Sequence, residues 1–166
     1  MTIRDFLPLV YHAFGGEITG NTLLQKRMYF LGLQCKERFG YTPNYYGPFS
    51  TSVADANTQL YLLGFLSRTT IHGSEPLHRL TNAGLRLVDT IIKEYPEEWK
   101  QIREAVHSLR DLTCATLVIA SKAHSSIPGV KDQGAAREAC RKARHIWQAS
   151  DDETEHAVTL LCSENI

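Results

Sequence analysis

Seven histidines and four cysteines are the residues of this chain best equipped for chemistry. Histidine titrates near neutrality and ligates metals, and a thiolate is both nucleophile and soft ligand. Either role needs partners at set spacings, and those spacings are missing. The sequence has no H-E-x-x-H, C-x-x-C, G-x-S-x-G or G-x-x-x-x-G-K, the patterns that place zinc ligands, redox thiols, an elbow serine or a phosphate cradle. Cys140 and His145 sit five residues apart, poorly matched on a helix. Cys35, Cys114, Cys140 and Cys162 each fall inside an apolar helical pattern and read as core thiols in a reducing cytoplasm. They are too scattered for a four-ligand structural zinc site. The expectation is a non-enzymatic protein with no catalytic residue, metal or cofactor.

Charge and aromatic groups offer binding instead. Lys plus Arg and Asp plus Glu both total 18, and residues 1–91 carry 8 basic and 6 acidic side chains, leaving 10 and 12 beyond. Nucleic-acid affinity comes largely from phosphate neutralisation, which this balance does not favour globally. One basic stripe stands out in AAREACRKARHIWQ: Arg137, Arg141 and Arg144 or His145 recur at helical spacing. It reads either as a solvated face paired in part with Asp151, Asp152 and Glu153, or as a patch for an acidic partner. The aromatic group is YYGPFS, where Tyr45, Tyr46 and Phe49 surround a Gly-Pro corner. The aromatics either pack the corner onto the core or form a partner-facing lip, since tyrosine is common at interface hot spots.

Helices and a hairpin must position these groups. Thr2 caps a first helix carrying Ile3, Phe6, Val10 and Ala13 and stopping at Gly15-Gly16. A second helix starts at Asn21 or Thr22, carries Leu24, Met28, Leu31 and Cys35 inward with Lys26 and Arg27 outside the stripe, and ends at Gly40. Pro48 breaks the chain and Ser50 caps a third helix with Val53, Ala56, Leu60 and Leu63 inward. The segment FLSRTTIHGSEPLHRL alternates and is split by His72-Gly73-Ser74-Glu75-Pro76, which predicts a β-hairpin. Thr81 caps a helix to about Tyr95, and the rest is helical, with TCATLVIASKAH the most buried helix and Ser150 and Glu153 a capping box. With 43% hydrophobic residues, the chain can bury a real core. The longest apolar run, ATLVIA, is too short to cross a membrane, and the N-terminus lacks the cleavage site of a signal peptide.

The segments TLLQKRMYFLGL, YYGPFS, LYLLGFL and HRLTNAG together resemble the YwgA-like proteins and the related Panacea (SocA-like) domains over about residues 18–95. The resemblance implies a mainly α fold with a small β-hairpin: a winged-helix-like core over residues 1–95 and a C-terminal helical region over 96–166 packing on it. It also implies a partner-gripping role, as antitoxin, adaptor or complex subunit. On a winged helix the third helix would enter the major groove, with Thr51, Ser52, Asp55, Thr58 and Gln59 exposed and Gln59 able to read adenine. Lys26, Arg27, Arg68 and Arg79 would then hold phosphates. That helix carries no Lys or Arg, and the connection from Phe39 to Phe49 is longer than a helix-turn-helix turn. The leading expectation is therefore a cytoplasmic protein-binding module contacting a toxin, effector or complex subunit through Tyr45, Tyr46, Phe49, Arg137 and Arg141. The alternative is a DNA-binding regulator, homodimeric through its C-terminal helices.

Overall fold

A computed structural model describes residues 1–70, 73–163 and 166. Among them are α1 (Ile3–Ala13), β1 (Glu17–Thr19), α2 (Asn21–Gln34), α3 (Thr51–Leu62), β2 (Leu66–Thr69) and β3 (Leu77–Leu80), then α4 (Asn82–Glu94), α5 (Pro96–His107), α6 (Cys114–Ser126), α7 (Gln133–Arg144) and α8 (Asp151–Leu161). The chain is mainly helical with one small antiparallel sheet. Helix, strand, helix, helix, hairpin, with the first strand closing on the hairpin, is a winged-helix-like order.

The sheet runs β1-β3-β2. The expected hairpin forms in the register Leu66↔Leu80 to Thr69↔Leu77; His72, placed in its loop by the sequence, lies outside the described residues. Strand β1 has no counterpart among the elements the sequence predicts. Three residues are too few for alternation to show, and β1 exists through its pairing with β3, Ile18 facing His78 in register.

Caps behave as their chemistry predicts. Ser50, Thr81 and Ser150 each accept a backbone N–H from the first turn of α3, α4 and α8. Glu153 returns the bond to the Ser150 amide at 2.8 Å, completing the capping box. Helix α2 stops at Gln34, short of the expected Gly40. The chain turns back through Lys36 at φ 57°, the Glu37 amide donates to the Gly32 carbonyl, and Phe39 buries against Phe6 with ring centroids 5.1 Å apart. Packing of Phe39 thus ends the helix, and Cys35 is only half-buried at its cap.

Leu24, Met28, Leu31, Val53 and Leu60 share the core as their spacing requires, but Leu63 is 68% exposed. It is the C-cap of α3, still helical with its amide on the Gln59 carbonyl, so the apolar phase runs on past the part of the helix that other elements cover. Helix α6 is buried almost all round and packs against α2, α7 and α8, while α5 lies on α1, α2 and α4. Residues before and after Tyr95 therefore contribute to one continuous core. Close approach decides one glycine: a Cβ on Gly84 would sit 2.2 Å from the Phe65 carbonyl oxygen, so only glycine lets α4 press on the start of β2. None of the described helices is long and apolar enough to cross a membrane.

Candidate functional site

The corner at residues 45–50 is built from α2 outward. Gln25 and Lys26 are polar yet 3% and 2% exposed, because both are turned onto the corner's backbone. Gln25 Nε2 donates to the Ser50 carbonyl at 2.9 Å and its Oε1 accepts the Ser50 amide at 3.0 Å. Lys26 Nζ donates to the Pro48 carbonyl at 2.7 Å. Ser50 Oγ donates to the Phe39 carbonyl, and Tyr41 Oη donates to the Gln25 carbonyl at 3.0 Å. From the far side, Lys122 Nζ donates to the Asn44 carbonyl at 2.9 Å. Gly47, at φ +84°, is pressed so closely on α6 that a Cβ would meet Ser121 Oγ at 2.7 Å. The Q-K pair and the Y-G-P-F-S corner are thus two halves of one joint.

This corrects the placement of Lys26 outside the α2 stripe. Burial pulls its ammonium down to about 8, with nearby Lys122 pushing the same way and Cys114 opposing. It is not a phosphate contact. Arg27 is half-buried, its guanidinium stacked 3.8 Å over the Phe14 ring.

The corner aromatics divide. Phe49 is half-buried, whereas Tyr45 and Tyr46 are 66% and 44% exposed, so these two do not pack the corner onto the core. Their rings meet edge to face at 4.8 Å, and Tyr46 meets Trp147 in the same way at 5.2 Å. Trp147, assigned by its spacing to the interior, is half-buried and completes an aromatic ridge from the corner to the end of α7.

On α3, Thr51, Ser52, Asp55 and Thr58 are exposed as expected. Gln59 is half-buried and not freely presented. The helix ends instead in exposed Tyr61 and Leu62, followed by Leu63. Of the wing cations, Arg79 is bound to Glu17 at 2.7 Å on the outer face of the sheet. Arg68 pairs in register with His78 on the other face, is exposed, and has no ion-pair partner among the described residues. Alternation along the strands therefore separates Arg68 from Arg79. The four proposed phosphate contacts do not converge.

The basic stripe on α7 is largely engaged. Arg137 makes a two-pronged bridge to Glu155 of α8 at 2.9 and 2.8 Å, and Arg144 bonds Asp151 and the Ala149 carbonyl. Arg141 is exposed. Glu153, expected among the acids facing this stripe, bonds Thr113 at 2.7 Å instead. Only Cys140 of the four cysteines is fully buried; burial first of all pushes its thiol up to about 12, and those of Cys35 and Cys114 to about 11. Among the described residues, no three His, Cys, Asp or Glu side chains gather where a metal could bind.

Sequence reasoning missed the Tyr61-Leu62-Leu63 end of α3, the Tyr46–Trp147 contact and the buried His78. The first had a signal, Tyr61 and Leu62 lying off the stripe that holds Val53, Ala56 and Leu60; the others depend on segments far apart in the chain. No protein-family model matches the chain, and no curated protein matches it.

Proposed function

We propose that the protein is a non-enzymatic, winged-helix-like interaction module that binds another protein through the exposed end of α3 and the adjoining wing. The observation that carries this reading is the apolar run Tyr61, Leu62 and Leu63, exposed by 47%, 74% and 68% on the element a DNA reader would present to phosphates. Adjacent exposed apolar side chains favour a protein partner over a polyanion. Helix α3 carries no Lys or Arg and exposes Asp55, which repels phosphate. The Tyr45–Tyr46–Trp147 ridge, with Arg141 nearby in sequence on α7, is a second contact surface. An antitoxin, adaptor or complex subunit, as the Panacea-like motifs imply, uses such surfaces.

The DNA-binding reading retains support from the order of the elements and from Arg68 beside α3, which has no ion-pair partner among the described residues. One experiment separates the two. A photo-crosslinking phenylalanine analogue is placed at position 62, and at exposed Arg86 on α4 as control, in the cell of origin. Purified protein is offered random DNA duplexes in parallel. A protein crosslinked from position 62 but not 86, and lost in Leu62→Asp with an unchanged melting curve, is the expected result. A DNA sequence selected from the pool, bound with steep salt dependence and released by Arg68→Glu, would reverse the reading.

A further inference from the structure

The inner face of the wing carries a histidine without a hydrogen-bond partner among the described residues. His78 is 4% exposed, and neither ring nitrogen has a hydrogen-bond partner or meaningful contact with solvent. Buried polar atoms are almost always paired, so an unpaired ring calls for an explanation. Its register neighbours are Ile18 on one side and Arg68 on the other. It lines a cavity of about 330 Å³ between α2, α3 and the sheet, a volume in the range of small-molecule sites, about 300–1,000 Å³.

The lining defines the chemistry. Leu24, Phe49, Ala54 and Leu62 supply apolar wall, and no Asp or Glu is among the lining residues. Asn57 also lines the cavity; its Oδ1 already accepts from Tyr11 Oη at 2.8 Å, so its amide nitrogen is the half left to donate. Arg68 adds a guanidinium without an ion-pair partner among the described residues. Burial, with the nearby Arg68 charge second, holds the His78 pKa below its usual value, so the ring is neutral near pH 7 and offers one N–H. Arg68, His78 and Asn57 are thus donors set beside an apolar wall, with the amide of Asn21 and the hydroxyls of Thr58 and Tyr61 also on the lining.

We propose that this cavity binds a small organic carboxylate, its anionic head between Arg68 and His78 and its apolar body against Leu24, Phe49 and Leu62. A guanidinium matches a carboxylate with two parallel bonds, and a turn of the His78 ring, whose nitrogens are sealed from the cavity as packed, brings a neutral imidazole N–H to it as a third. The apolar body distinguishes this ligand from a free inorganic anion. The mouth of the cavity includes Tyr61 and Leu62, but ligand binding is measured on the protein alone and does not depend on the partner reading.

The probes are benzoate, cyclohexanecarboxylate, neutral benzamide and inorganic phosphate, titrated to millimolar concentrations against the full chain. His78 ring resonances and calorimetry are the readouts. Benzoate should shift the His78 ring signals and bind, with benzamide and phosphate roughly tenfold weaker, the scale of one lost charge-assisted hydrogen bond. Arg68→Gln, at an exposed position, should weaken benzoate by a similar factor and erase its advantage over benzamide. His78→Leu, if its melting curve shows it folded, should lose the same advantage; if it does not fold, Arg68→Gln carries the test. Unshifted His78 signals with both carboxylates, equal binding of benzamide or phosphate, or indifference to Arg68→Gln would each overturn the proposal.

Discussion

Two polar regions lie on either side of Phe49, and they use burial in opposite ways. Behind the corner, Gln25, Lys26 and Ser50 are withdrawn from water and bonded to backbone on both sides of the joint. In front, between α3 and the wing, His78 is withdrawn just as far; among the described residues it has no hydrogen-bond partner, and its neighbour Arg68 has no ion-pair partner. A satisfied buried polar group fixes a unique geometry, whereas an unsatisfied one stores an unmet demand that a ligand can answer. Lys26 of the second helix and Arg68 of the wing look alike in sequence; one builds the fold and the other lines a cavity.

The comparison breaks most visibly if the joint is not essential. Gln25→Ala strands the buried amide of Ser50, leaves its carbonyl with the Ala54 amide alone and opens a gap between α2 and the corner, and the loss should be about 2–5 kcal/mol. Denaturant unfolding measures it, and a loss below about 0.5 kcal/mol would mean the corner is held elsewhere.

Lys26 provides a sharper, pH-resolved test. Its folded pKa lies near 8 against 10.5 for the free side chain, so above about 8 the folded state sheds a proton that the unfolded state keeps. Its contribution to stability is fullest above the unfolded value and is lost as pH falls through about 8. Wild type should therefore gain on Lys26→Met by about 1–3 kcal/mol between pH 7 and 10. Taking the difference between the two proteins cancels Cys35 and the buried tyrosines, whose raised pKa values act in the opposite direction over the upper part of this range, and leaves Cys114, which feels the Lys26 charge, as a smaller opposing part of the gap. A gap that is flat with pH would show that Lys26 is solvated.

The smallest effect belongs to the other region. His78→Leu removes two unpaired nitrogens from a buried position and should change stability by only about 0–1 kcal/mol, with a gain the expected sign. A loss of several kcal/mol on thermal unfolding would mean that His78 holds the wing together and is no counterpart to the joint.

Much of the framework follows from local chemistry that can be read along the chain. Ser50, Thr81 and Ser150 cap helices because their hydroxyls satisfy orphan amides within three residues. Leu24, Met28, Val53 and Leu60 are interior because helical periodicity puts them on one face. Alternation, split by a segment holding Gly73 and Pro76, predicts the hairpin. None of these depends on distant sequence. What only the tertiary structure decided are the partnerships across long separations. Lys26 appears outside its helix's apolar stripe, yet it is interior because the Pro48 carbonyl, 22 residues away, needs a donor. Helix α2 ends early because Phe39 finds Phe6, and β1 exists because β3 pairs with it. His78 becomes a buried, unpaired ring only when α2, α3 and the sheet close around it. Propensity and periodicity are properties of a short window, whereas hydrogen-bond satisfaction and burial depend on the whole folded chain, and on this protein the candidate site is made of the second kind.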